Sequence, residues 1–467
     1  MTVDVAVIGG GISGLSAAHA LKRRGYRVVV LERQARPGGN AVSERMGGFL
    51  MEHGPSTVAS ESPVATDMSL LLGLDGRRCE LGDGVRRRYL VRDGDLHGVS
   101  VHPAAFLLSN YLSLAGRARL MAECVVPARK SGIEDESVAD FCARRFGSEF
   151  AARVIDPLVG GLYAGRADEL SVLAVFPRLV EMERSYGSIS RALFHSRRRG
   201  ARMPGRRLFS WLDGIGALPC ALARELGSAV RSGAAVSAIR PLASGFEVQA
   251  GAAGSLSARA VVLATQPHVA GQLLETVDAA AAEAVAQIDA PPMAVVFLGY
   301  RRSQVEHPLD GLGFLTPQTE GRDITGAQFC STMFAARAPE GHVAIAGYFG
   351  GARAPHLARL PASDLIDLAR HEFADLIGAR DAPVVSKVRH WPRGLPQYRS
   401  GHTARIAELD SLAGRVPGMF VTGNYFTGPS VANCLQQAAN VAVNVHSFLK
   451  CTQNEERLPM VDRAATG

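Results

Sequence analysis

No run of eighteen apolar residues occurs anywhere in the 467-residue chain, which argues against a membrane-spanning helix. Nothing leader-like precedes the first apolar strand, so no signal or transit peptide and a cytoplasmic location are the expectations. The seven cysteines stand apart at 79, 124, 142, 220, 330, 434 and 451 with no C-x-x-C pair, a pattern of reduced thiols rather than of a zinc site or a disulfide framework. The thirteen histidines form no H-E-x-x-H or similar cluster, so no metal is expected. Internal repeats, low-complexity tracts and nucleic-acid motifs are absent as well. Hydrophobic content of 47% with 20% charged residues is that of an ordinary globular protein, long enough for two or three domains. The net charge is +7 and the pI is near 9.2. Arginines concentrate between Arg184 and Arg207, including Arg197-Arg198-Arg199 and Arg206-Arg207. A solvated loop explains them; attraction to an acidic substrate or an anionic membrane face is the sharper alternative.

The informative stretch is the first thirty-two residues. Residues 3–8 are a valine-rich run suited to a buried parallel strand. Gly9, Gly11 and Gly14 follow at G-x-G-x-x-G spacing, residues 15–24 carry Ala and Leu at helical intervals, and Gly25 ends that helix. Residues 27–31 form a second apolar strand with Glu32 at its carboxyl end. Each part has a physical role. Gly9 permits the turn, Gly11 lets a pyrophosphate approach the backbone, Gly14 lets the helix pack on the sheet, and the helix amino terminus offers N–H groups and a positive dipole end. Glu32 stands where an acid accepts ribose hydroxyls; it suits FAD or NAD and disfavours a 2′-phosphate.

Two turns come next, Arg36-Pro37-Gly38-Gly39 and Glu52-His53-Gly54-Pro55-Ser56. With the fingerprint they resemble the FAD-dependent amine-oxidase and desaturase superfamily. The resemblance implies FAD, with Gly38, Gly39, Gly54, Pro55 and Ser56 beside the cofactor. Asn40 stands where that superfamily usually has arginine.

Later segments narrow the resemblance. The stretch RRRYLVRDGDLHGVSVHP reads as strand, Asp93-Gly94 turn and strand. A helix predicted from Ser137 runs through FCARRFGSEFAARVIDPLVGGLYAG. Gly147, Glu149, Pro157, Gly161, Tyr163, Ala164, Gly165, Leu170 and Ser171 are spaced as in the protoporphyrinogen/coproporphyrinogen oxidase family. Pro396-Gln397-Tyr398 and Gly401-His402 match that family again. Near the end, residues 419–423 form a strand, and Gly428, Val431, Asn433 and Cys434 open a long alanine-rich helix. The resemblance implies that this helix points its N–H groups at the flavin N1/O2 edge, where reduced flavin carries negative charge. Gly423 and Val431 are cofactor-binding on this reading, as is Val236, expected on a strand over residues 234–239 beside the adenine. Pro429, Ala432, Leu435 and Ala438 depart from the family pattern.

The fold class expected is therefore α/β. A Rossmann-type FAD-binding domain is assembled from residues 1–85, 205–270 and 389–450, with a mainly helical domain over 86–204, an antiparallel-sheet substrate domain over 271–388 and a polar tail over 451–467. In the sheet domain, strands are expected over 293–301, 311–317, 327–334, 342–349 and 384–391, with an amphipathic helix over 362–378. The apolar stretch 103–121, with Arg117 and Arg119 beside it, reads as a buried helical hairpin; the family resemblance implies peripheral membrane contact instead.

The family resemblance also implies chemistry: six-electron aromatisation of protoporphyrinogen IX, hydride passing to flavin N5, and molecular oxygen taken to hydrogen peroxide. No side chain is expected to be catalytic. The substrate pocket should be flat and apolar with propionates at its edge. Arg88 is the propionate candidate, beside Arg86 and Arg87, because a guanidinium binds a carboxylate bidentately. Gly161 would turn its carbonyl to pyrrole N–H groups. Leu312, Leu315 and Tyr348 would sandwich the macrocycle, with Leu312 replacing the family's usual aromatic. Coproporphyrinogen III oxidation, an FAD amine oxidase or desaturase of secondary metabolism, and a non-catalytic tetrapyrrole carrier remain the alternatives. Oligomeric state is open.

Overall fold

Residues 5–8 of strand Thr2–Ile8 are buried on both faces, as a central strand of a parallel sheet covered above and below must be. The computed structural model describes residues 2–100, 103–129, 135–198, 208–251 and 254–457. The arginines at 199–207 and the tail from 458 lie outside the described residues. The chain divides into two compact units.

The first unit comprises Met1–Gly39, Leu218–Gln287 and Arg405–Gly467. Its sheet runs in the order Val230–Ser232, Val28–Glu32, Thr2–Ile8, Ser255–Leu263, with Met419–Val421 alongside the carboxyl half of the last. These five are mutually parallel. The hairpin Ala238–Leu242 and Gly245–Gln249 extends the sheet in antiparallel fashion beside the amino half of Ser255–Leu263. Thr2–Ile8 leads through helix Ile12–Lys22 to one neighbour, while its other neighbour comes from much later in the chain. That reversal makes a crevice at the carboxyl end of Thr2–Ile8, where ligands bind in such sheets. Helix Ile12–Lys22 packs on the long helix Val431–Arg457. Two expectations change here. Val236 is not on a strand but in the connection between Val230–Ser232 and Ala238–Leu242, because the sheet partners begin only at Ala238. Residues 451–457 continue the terminal helix rather than forming tail.

The second unit comprises Asn40–Ala217 and Ile288–Ala404. It takes in residues 40–85, 205–217 and 389–404, which the sequence reading places with the cofactor domain. Its seven-stranded sheet runs Val385–Trp391, Met293–Arg301, His342–Gly350, Ile324–Phe329, Gly311–Leu315, Arg87–Arg92, Asp95–Val99. Every pairing is antiparallel except that of Gly311–Leu315 with Arg87–Arg92, so the sheet is mixed. The hairpin 87–99, assigned from sequence to the helical segment, is thus two of its strands. The strand expected over 327–334 ends at Phe329, and Cys330–Met333 turn helically. One face buries Tyr89, Phe314, Ala327, Val296 and Ile345 against helix Ala362–Ile377. The other receives the hairpin Ser43–Met46 and Phe49–Glu52, whose Phe49 and Met51 pack on Val295, Phe297 and Ala346.

The helical segment is broken more than expected. Helix Val138–Phe146 stops at Gly147; a wider turn over Ala151–Ile155 then leads into Asp156–Tyr163. Fully buried Arg145, on helix Val138–Phe146, pairs with fully buried Glu123, and Glu123 also accepts the first N–H groups of helix Ile189–Arg198, tying those two helices together. Those bonds outweigh burial and hold its carboxyl down at about 2. Over 103–121 the chain forms helices Pro103–Leu108 and Leu114–Met121. They are not a buried hairpin: Leu108, Leu114 and Met121 are 82%, 77% and 66% exposed.

Candidate functional site

At the carboxyl end of Thr2–Ile8, Gly9 turns the chain with φ +106 and donates its N–H to Leu31 O at 2.9 Å. A Cβ on Gly14 would lie 2.0 Å from Gly9 O, so close packing of helix on turn explains that glycine. Gly11 is different. Its φ of −77° and ψ of −179° suit any residue, and a Cβ there would meet only Gly39 Cα, at 4.0 Å. Nothing within the protein requires glycine at 11; an outside group approaching the backbone does. Gly11 also begins helix Ile12–Lys22 with no side-chain cap, so the first-turn N–H groups are left for a ligand. Gly38 donates to Gly10 O at 2.8 Å and bridges to Gly11, bringing Gly38-Gly39 onto the same turn. The residues present fit a dinucleotide pyrophosphate.

Glu32 has a second task that the sequence reading missed. Gly10 N–H donates to its Oε2 at 2.6 Å and Gln34 N–H to its Oε1 at 2.8 Å, so the carboxylate closes the glycine turn. Each oxygen retains a lone pair for a ribose hydroxyl. Two further groups were not foreseen. Thr265 and Thr422 follow the carboxyl ends of Ser255–Leu263 and Met419–Val421, and their buried hydroxyls have no partner among the described residues. Such buried polar atoms are costly unless a ligand meets them. Position after a central strand was the only available signal. Gly423 accommodates the Tyr425 ring, which a Cβ would approach to 2.5 Å. Val431 is the first residue of the terminal helix, where Ser430 Oγ accepts the Asn433 N–H at 3.1 Å and caps it.

In the second unit, the turn Gly54-Pro55-Ser56 follows strand Phe49–Glu52. Asn40 O would lie 2.3 Å from a Cβ on Gly54, and Ser56 Oγ donates to Gln328 Oε1 at 2.8 Å. Glu52 is buried beside this turn. Burial pushes its carboxyl up to about 7, against the opposing pull of the Ser43 hydroxyl at 2.5 Å, of Arg337, and of the Ile215 N–H at 2.9 Å. A folded pKa above the unfolded one means that the protonated acid is favoured in the fold. Its contribution is complete below about pH 4.5 and is lost as pH rises through 7, by roughly 3 kcal/mol. Glu52→Gln should therefore flatten the loss of stability between about pH 5 and 8 in urea titrations. Equal slopes for the two proteins would show that Glu52 ionises freely.

Apart from Gly161, the candidate substrate residues belong to one face of the mixed sheet. Leu90, Leu315, Gly326, Tyr348 and Val295 are successive cross-strand partners and so share a face. In the next row, Gly313, Gln328, Ala346 and Phe297 are partners. A bulge aligns the two rows. Pairing passes from Gly311 with Arg87 to Phe314 with Tyr89, so Leu312 and Gly313 together stand opposite Arg88. Without the extra residue Leu312 and Leu315 would face opposite ways. Gly313 makes the bulge possible: its φ is +135, and a Cβ would lie 1.9 Å from Ala327 O.

The same alternation separates the arginines. Arg87 shares the core face with Tyr89 and ion-pairs with Asp310 at 3.6 Å, while Tyr89 donates its hydroxyl to Asp310. Arg88 shares the face of Leu90 and Leu315 and is exposed. Helix Asp156–Tyr163 brings Gly161 onto Leu315, where a Cβ would lie 2.4 Å from Leu315 Cδ2. Arg353 clamps that helix, with Nη2 3.0 Å from Asp156 Oδ1 and Nη1 donating to Thr316 O at 2.9 Å. The two later motifs also meet. Gln397 donates to Tyr163 O at 3.0 Å, and the Tyr398 ring packs edge-on against Tyr163.

The chain is similar to known proteins along nearly its whole length. Residues 12–446 match the family of flavin containing amine oxidoreductases. The chain is 30% identical to the chloroplastic protoporphyrinogen oxidase of Nicotiana tabacum, over 96% of this chain and 86% of that one. It is 26% identical to the coproporphyrinogen III oxidase of Bacillus subtilis, over 95% and 98%. A crystal structure from an Exiguobacterium species, provisionally named a protoporphyrinogen oxidase, shares the fold at a TM-score of 0.82 and 22% identity, over 96% and 99%. Cyclohexylamine oxidase from Brevibacterium oxydans shares it at 0.71 and 19%, over 96% and 99%. A fold, a pyrophosphate cradle and a chain-long likeness thus agree: the chain belongs to the flavin containing amine oxidoreductase family, on its protoporphyrinogen and coproporphyrinogen oxidase branch, and is an FAD-dependent oxidoreductase.

Proposed function

We propose that the protein oxidises protoporphyrinogen IX to protoporphyrin IX in tetrapyrrole biosynthesis. The supporting observation is the gathering of Arg88, Leu312, Leu315 and Tyr348 on one sheet face with Gly161 packed upon it. FAD, when bound, accepts the electrons as hydride at flavin N5 and passes them to molecular oxygen, giving three hydrogen peroxide per porphyrin over six electrons. The chain's own residues orient and enclose the ring. The leucines and Tyr348 supply apolar side chains on one face for a macrocycle to lie against. Arg88, at the rim, is suited to a propionate. Coproporphyrinogen III is the second reading, because similarity extends along the full length of relatives named for it.

Anaerobic mixing with each porphyrinogen tests both readings through flavin bleaching, with porphyrin fluorescence read after air is admitted. Bleaching by protoporphyrinogen IX is expected. A flavin that stays oxidised with both would turn the search to amines. Arg88→Ala should raise KM about tenfold or more with flavin content unchanged, as loss of one charge-assisted pair implies; an unaltered KM removes the propionate role. No helix among the described residues is long and apolar enough to cross a membrane. The exposed Leu108, Leu114, Met121 and Val125 support peripheral contact with a cytoplasmic membrane face. Flotation with anionic liposomes is expected, and protein that stays at the bottom of the gradient excludes it.

A further inference from the structure

Gln328 is the one amide in the middle of the apolar face just described. Its row neighbours are Gly313 on one side and Ala346 on the other, and the residue two before it on the same face is Gly326. None of the three has a side chain larger than methyl, so on the Gly313 and Gly326 side the Gln328 amide stands over a floor of backbone, while Phe49 and Met51 cover the sheet from Ala346 outward. Arg88 lies across the Leu312-Gly313 bulge, two strand spacings or about 10 Å away. A polar group in such surroundings is costly unless bonded, and Ser56 Oγ at 2.8 Å supplies a bond to one end of the amide.

We propose that Gln328, backed by Ser56, is a specificity-determining residue that hydrogen-bonds the ring nitrogens of the bound tetrapyrrole. This rests on the porphyrinogen reading and deepens it. The chemistry of the ring calls for an adaptable partner. A porphyrinogen presents four pyrrole N–H donors, whereas the porphyrin product has two N–H groups and two nitrogens that accept. An amide carries an acceptor at one end and donors at the other, and the Ser56 hydroxyl can both donate and accept. With Ser56 donating to Oε1, the amide NH2 serves an accepting nitrogen. With the amide turned over and Ser56 accepting, the oxygen serves an N–H. The bond to Ser56 persists in both states, so one residue can hold the ring through all three rounds of oxidation. Arg88 then fixes the periphery of the ring and Gln328 its centre.

The test uses the FAD-loaded protein and two variants, with porphyrinogen turnover and binding of protoporphyrin IX by fluorescence quenching as separate readouts. Gln328→Leu should raise the porphyrinogen KM and weaken porphyrin binding, each about tenfold, with flavin content and melting temperature as in the wild type. Gln328→Glu keeps the shape and the Ser56 bond but can only accept. It should leave the porphyrinogen KM within about threefold while porphyrin binding falls about tenfold. Unchanged KM and porphyrin affinity in both variants would overturn the proposal on an active enzyme. Loss of flavin from Gln328→Leu with normal porphyrin affinity in Gln328→Glu would also overturn it, in favour of a purely structural anchor for the 54–56 turn. A wild type that holds flavin but neither oxidises a porphyrinogen nor binds porphyrin would instead overturn the porphyrinogen reading, and this proposal with it.

Discussion

Gly11→Ala should yield a folded protein that has lost its yellow colour. The backbone at Gly11 is ordinary, and the added methyl would touch only Gly39 Cα, at 4.0 Å. Its cost to the empty fold is therefore small, under about 1 kcal/mol. The cost to the cofactor is large, because the methyl stands where phosphate oxygens meet the first-turn N–H groups of helix Ile12–Lys22. Charge-assisted bonds of that kind contribute about 1.5–3 kcal/mol each, so FAD affinity should fall by about ten- to a hundredfold. Gly14→Ala provides the contrast. Its methyl would lie 2.0 Å from Gly9 O, a backbone atom that cannot yield without moving the turn. That variant should lose stability as well as flavin, by about 3 kcal/mol or more. Flavin absorbance per protein, FAD titration of the apoprotein and thermal melting distinguish the two. A yellow Gly11→Ala protein with wild-type FAD affinity would show that the pyrophosphate lies elsewhere.

Arg353→Met should be the most damaging single change near the face that carries Leu315 and Tyr348. The guanidinium is buried and bridges Asp156 with Thr316 O, and Gly160 packs directly on it: a Cβ there would be 2.5 Å from Arg353 Cζ. Burial pulls the guanidinium pKa down despite Asp156, the mark of a charge held far from water. Removing it leaves the half-buried Asp156 carboxylate without its cation and Thr316 O without its donor. Breaking one side of such a pair costs about 3–5 kcal/mol. Asp156 also accepts the Gln318 N–H at 2.8 Å, so the amino end of helix Asp156–Tyr163 and the end of strand Gly311–Leu315 would loosen together. Chemical denaturation should show the loss, and the double variant Asp156→Asn/Arg353→Met should recover part of it, because no unpaired charge remains. KM should rise in the single variant, since Gly161 is positioned by this helix. Wild-type stability in Arg353→Met would mean that the clamp is solvated in the working protein.

The glycine cradle was legible in the sequence because its parts are local. Strand, turn, helix, strand and acid lie within thirty-two residues, and each has its own composition signal. The antiparallel strands at 293–301 and 342–349 were legible for the same reason, since a short apolar run bounded by Gly, Pro and Asp is a property of each strand alone. Val236 was misplaced because an apolar pair in a connection looks like a strand until its partners are known. The break at Gly147 was missed because the helical pattern continues on both sides of it.

The sequence by itself determined that residues 9–39 carry a dinucleotide-binding fingerprint and that the chain carries the motifs of one flavoenzyme branch. Which side chains share one sheet face was decided only by the tertiary structure. The resemblance singles out Arg88, Leu312, Leu315 and Tyr348 one by one; that they lie together on one face, with Gln328 among them, follows from strand register and from one extra residue at the Gly313 bulge. Register is a relation between strands far apart in the chain, and a shift of one residue exchanges the two faces. No local pattern could have carried that information.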